Sequence, residues 1–115
     1  MRIKSSYVAH ALTKKGEKKA MTKTVILDEA KKVIYERQAS YGTPENNFAQ
    51  IAELWSAYLG VAIQPEDVGA LMILMKVARE RHKHKHDNLV DIAGYAECVA
   101  LIQQQRQKTL GRDGE

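Results

Sequence analysis

Between Val25 and Gln38 apolar side chains return every three or four residues. Ile26, Ala30, Val33 and Ile34 therefore share one helical face, with Lys31, Lys32, Glu36 and Arg37 on the wet side. Gly42 tolerates positive φ and Pro44 keeps Thr43 out of helical dihedrals, so this helix is predicted to end before Tyr41-Gly42-Thr43-Pro44. Thr43 then serves as N-cap and Pro44 as first residue of a second helix, to about Leu59. Its stripe is Phe48, Ile51, Ala52, Trp55 and Leu59, which predicts a largely buried Trp55, and Gly60 closes it. Gln64-Pro65 opens a third helix with Glu66 and Asp67 at the positive end of its dipole and a stripe of Val68, Leu71, Met72, Met75 and Ala78. The run His82-Lys83-His84-Lys85-His86 has no apolar residue and reads as a connecting loop. Asp87 or Asn88 starts a fourth helix, to about Gln107, burying Leu89, Ile92, Ala96 and Val99. No period of two is sustained and the connections are short, so the expected fold is all-α, an antiparallel bundle of about four helices.

A length of 115 residues leaves room for one domain. Its expected division is a basic N-terminal extension over 1–23, the bundle over 24–108 and a polar tail over 109–115. The net charge of +4 invites a nucleic-acid reading, but the excess sits in the arm, where Arg2, Lys4, Lys14, Lys15, Lys18, Lys19 and Lys23 face Glu17 alone. Met21, followed by Thr22-Lys23-Thr24, reads as a fresh start, which leaves the leading segment as an upstream extension, a flexible arm or a short helix of its own. No apolar run reaches the roughly 18 residues of a membrane span and no secretory leader pattern opens the chain, so a cytoplasmic location is expected. Cys98 has no cysteine partner and is expected in the core. A Gly-rich phosphate loop, a serine elbow and a cysteine-nucleophile context are all missing, which removes those enzyme classes.

Three clusters carry possible chemistry. Asp87, Asp91 and Tyr95 stand four residues apart on the last helix, along one edge off its apolar stripe, where two carboxylates a turn apart suit a hard cation such as Mg²⁺. Lys76 and Arg79, late in the preceding helix, meet that edge in an antiparallel hairpin, either as ion-pair partners or as clamps on a phosphate. Arg37, Tyr41 and Gly42, followed by Asn46 and Asn47, combine a guanidinium, an aromatic face and a turn glycine that suit a base and a phosphate. The histidines at 82, 84 and 86 lack the surrounding shell that orients imidazoles on a metal.

Taken in order, Arg37-x-x-x-Tyr41-Gly42, Asn46-Asn47-Phe48, Leu54-Trp55, Leu74-Met75-Lys76-x-x-Arg79 and Asp87-Asn88-Leu89-Val90-Asp91-Ile92-Ala93-Gly94-Tyr95-Ala96 resemble a phage and prophage helical family of unknown function, over roughly residues 25–102. That family is similar to nucleotide-modification-associated phage domains and, more distantly, to MazG-like all-α nucleoside triphosphate pyrophosphohydrolases. The resemblance implies a nucleotide or other phosphorylated small molecule as ligand, a bacterial host cell as setting, and a homo-oligomer, with Trp55, Tyr58 or the Gly94–Cys98 face as contacts. It implies Mg²⁺ on Asp87 and Asp91, completed by Glu53 or Glu66, and a ligand held by Arg37, Tyr41, Lys76, Arg79 and Tyr95. MazG-like enzymes carry a pair of glutamates three residues apart on an earlier helix, where this chain has Glu53 alone and Glu66-Asp67 at a helix start. The function this resemblance implies is a phage nucleotide-binding protein of the Mg²⁺-dependent nucleoside triphosphate pyrophosphohydrolase type; the alternatives are a non-catalytic accessory protein that binds a nucleotide or host protein, and a nucleic-acid binder acting through the basic arm.

Overall fold

The computed structural model describes residues 25–113, so the arm over 1–23 lies outside the described residues. Four helices follow one another: α1 Ile26–Tyr41, α2 Pro44–Leu59, α3 Pro65–His82 and α4 His86–Asp113. The described fold is all-α, with no strand among the described residues. No helix among them is long and apolar enough to cross a membrane. α4 is the central member, packed most extensively on α3 and next on α1, while α2 lies against α3 and α4.

Local chemistry sets the helix ends. α1 runs through Tyr41 rather than stopping before it, because the reversal is made by Gly42 at φ 83°, whose N–H donates to the Gln38 carbonyl at 2.9 Å. Thr43 Oγ1 accepts from the Asn46 N–H at 3.3 Å and Pro44 occupies the first turn of α2, as the sequence pattern predicts. Gly60, at φ 73°, ends α2 with its N–H on the Ser56 carbonyl. The Asp67 carboxylate accepts from the Gln64 N–H at 2.8 Å at the start of α3.

The core joins Phe48, Ala52, Val68, Cys98 and Ile102, with Ile34, Ile51, Trp55, Met72 and Tyr95 packed around it. Trp55 is on the expected stripe but only half-buried, because the partner surface thins toward the end of α2: Ala52 is 3% exposed and Leu59 56%. Two stripes are rotated from expectation. On α3, Val68, Met72 and Met75 turn inward as predicted, whereas Leu71 and Ala78 are exposed and Lys76 takes an inward place. On α4 the inward face is Asp91, Tyr95, Cys98 and Ile102, while Leu89 and Ala96 are exposed. Both helices carry apolar residues on more than one side, so periodicity alone does not select the face that packs. α4 also continues to Asp113, past the end expected near Gln107.

The connection between α3 and α4 is shorter than the histidine run implied. α3 includes His82 and α4 begins at His86, leaving Lys83–Lys85 as the turn. Glu80 organises it: Oε1 accepts from the Lys85 N–H and from the nearly buried Asn88 Nδ2, each at 3.0 Å, while Oε2 meets His84 Nδ1. These partners, His84 first, hold the Glu80 carboxyl down to about 2. His86 Nε2 reaches Glu29 Oε2 at 2.8 Å, tying the start of α4 to α1.

Candidate ligand-binding site

The cap at Gly42 and the turn at Pro44 join α1 to α2, and residues of both helices face a space that α3 and α4 also line. A cavity of about 330 Å³ results, at the lower end of the range that small-molecule sites occupy. Ile34, Phe48, Ile51, Met72, Val90 and Cys98 make its apolar walls. Its polar groups are few: Arg37, Gln38 and Tyr41 from α1, Asn47 from α2, and Asp91 and Tyr95 from α4. Arg37 and Tyr41 are exposed and stand at the mouth, whereas Asp91 and Tyr95 are half-buried. The Phe48 and Tyr95 rings meet at 6.4 Å and 48°, a tilted pair that fixes one wall. Gly94 lines the same space, with nothing within 4 Å of where its Cβ would be.

Two clusters that are separate in sequence, Arg37–Tyr41 and Asp91–Tyr95, thus share one cavity. Asp91 is also bound from behind: its Oδ2 lies 2.8 Å from Lys76 Nζ, both side chains 15% exposed. On the far side of that pair is a more open cleft of about 730 Å³, lined by Lys76, Arg79, His82, Lys83, Lys85, Asp87 and Asp91. Lys76 thus pairs with Asp91 across the α3–α4 hairpin, while Arg79 and Asp87 border the same cleft.

The metal expectation fares differently. Glu66 is held by Arg106, through Nη2 to Oε1 at 2.9 Å and a second contact from Nη1 to Oε2, and that guanidinium holds its carboxyl below the usual range. Glu53 is exposed on the outer side of α2 and Asp87 is exposed at the start of α4. Among the described residues no group of three or more His, Cys, Asp or Glu side chains is gathered where it could hold a metal ion. Burial pushes the Cys98 thiol up to about 11, which keeps it neutral as a wall of the cavity. Asn47, grouped by sequence with the Arg37–Tyr41 cluster, lines the cavity beside it. Gln38 escaped the sequence reading, having no signal beyond lying next to Arg37.

The described helices thus border an apolar-walled cavity of ligand size with a few polar groups at its edge. By sequence the chain belongs to the DUF6378 family, a domain of unknown function whose model matches residues 25–103. It is 49% identical over 79 residues to the Gene 55 protein of Mycobacterium phage D29, covering 67% of this chain and 52% of that protein. It is 44% identical over 81 residues to the Gene 55 protein of Mycobacterium phage L5, covering 68% and 52%. The chain thus spans about half the length of these phage relatives. No solved structure matches it.

Proposed function

We propose that the chain is a non-catalytic binding module for a nucleotide-class ligand, with a planar base in the cavity and a phosphate at its mouth. One observation carries this reading: Arg37, Tyr41, Asp91 and Tyr95 converge on a single apolar-walled cavity of about 330 Å³. Tyr41 offers a ring for stacking, and Asn47, Gln38 and the outer oxygen of Asp91 offer bonds to a base edge. Arg37, exposed beside Tyr41, is the cation placed to meet phosphate oxygens outside the apolar walls. Cleavage is left out of this reading because Asp91 is already paired with Lys76 and Glu66 with Arg106.

The test is a panel of nucleosides and nucleotides scored by thermal stabilisation, since a ligand at about 100 times its Kd adds about 2.7 kcal/mol. Phosphorylated members should stabilise the protein more than their nucleosides, and Arg37→Ala should erase that difference while leaving nucleoside binding. Removal of Mg²⁺ by chelation should change neither result. A panel without any stabilisation overturns the reading.

A further inference from the structure

α3 is apolar on two opposite faces. Val68, Gly69 and Met72 pack inward, and the opposite side carries Asp67, Ala70, Leu71, Leu74, Val77, Ala78 and Arg81, every one exposed. Leu74 is 62% exposed, Val77 46% and Leu71 43%, although a helix apolar on both sides belongs in an interior. At about 100° per residue these seven positions fall within roughly 60° either side of Leu74.

The order of this stripe identifies what covers it. Counting outward from Leu74, Leu71 and Val77 lie three residues away, Ala70 and Ala78 four, and Asp67 and Arg81 seven. The chemistry is therefore self-complementary under reversal. Two α3 helices laid antiparallel about a two-fold axis through Leu74 bring Leu74 onto its own copy, Leu71 against Val77 and Ala70 against Ala78. The same operation pairs Asp67 of each copy with Arg81 of the other, one ion pair at each end of an otherwise uncharged strip. Alanines beside the axis allow the close approach of about 8–10 Å that packed helices need. Asp67 accepts the Gln64 N–H through Oδ2, leaving Oδ1 for the guanidinium.

We infer that this face of α3 binds a second copy of the chain in an isologous, antiparallel dimer. An unrelated apolar partner would have no use for opposite charges at matched distances from one central leucine. The faces first suggested by sequence are otherwise occupied: Gly94 and Cys98 line the cavity and Trp55 packs on the core. Tyr58, 89% exposed on α2, remains available to widen the contact.

Sedimentation equilibrium on the full chain tests it. The expected mass is twice 13.0 kDa. Leu74→Glu, which places two like charges on the axis, should give a monomer with unchanged helical circular dichroism. Arg81→Glu and Asp67→Arg should each weaken self-association at least about tenfold, because each sets like charges opposite one another. Mixed together, these two variants should form a heterodimer, since both of its end pairs are again of opposite sign. A monomeric parent chain, a dimeric Leu74→Glu protein, or a mixture that stays monomeric overturns the inference.

Discussion

Gly69 stands where α3 comes closest to α4 and α2. A Cβ there would collide with Val99 Cγ2 and lie 3.4 Å from Phe48 Cε2, so the missing side chain is what lets these helices meet. Alanine normally stabilises a helix interior by about 1 kcal/mol over glycine, but overpacking costs about 1–3 kcal/mol and wins here. Gly69→Ala should therefore lower the melting temperature, and Val99→Ala in the same chain should recover part of the loss. Gly94 gives the opposite sign, because nothing lies within 4 Å of its Cβ position. Gly94→Ala should raise stability by about 0.5–1 kcal/mol while weakening ligands in the cavity it lines. Asp91→Asn should lower stability by about 1–3 kcal/mol, to the same extent with and without Mg²⁺, because it leaves the half-buried Lys76 ammonium poorly compensated. A loss seen only with Mg²⁺ would contradict that assignment.

At the scale of elements, what was legible in the sequence was whatever local chemistry decides. Gly42, Thr43-Pro44, Gly60 and Pro65 mark helix ends within one or a few residues of where they fall, because caps and turns act over short spans of chain. Which side of α3 and α4 packs was not legible. Leu89, Val90, Ile92 and Val99 span one half of α4 and Cys98 and Ile102 lie on the other, and the choice of the Asp91–Tyr95–Cys98 face is made by the other helices. The histidine run misled in another way: its polarity suggested a loop, yet Glu80 supports a tight turn through partners four to eight residues away. Those bonds have a pH consequence. The Glu80 carboxyl lies at about 2 against an ordinary 4.5, so its contribution is fully present above about 4.5 and is lost as pH falls toward 2. Glu80→Gln should flatten the acid limb of a stability–pH curve between those values, measured by urea denaturation. An unchanged limb would assign the acid loss to other carboxylates.

For the whole molecule, the site was legible only in pieces. Arg37 with Tyr41 and Asp91 with Tyr95 each stood out by residue type and spacing, but their meeting depends on α1 lying along α4, a contact no local pattern encodes. Glu66 shows the same dependence on distant chain: it sits at a helix start, and Arg106, 40 residues on, holds it.

The Lys83–Lys85 turn also bears on how fast the protein reaches its fold. α3 and α4 share the largest helix–helix contact and are joined by that short turn, so their pairing costs little loop-closure entropy, whereas α1 must return across two intervening helices to dock on α4. The hairpin should be formed in the transition state and α1 should dock after it. Asn88→Ala, which removes a partner of Glu80 inside the hairpin, should mainly slow refolding. Ala30→Gly, at the buried position of α1, should mainly speed unfolding. A chevron analysis showing the reverse partition would place the nucleus on α1 instead.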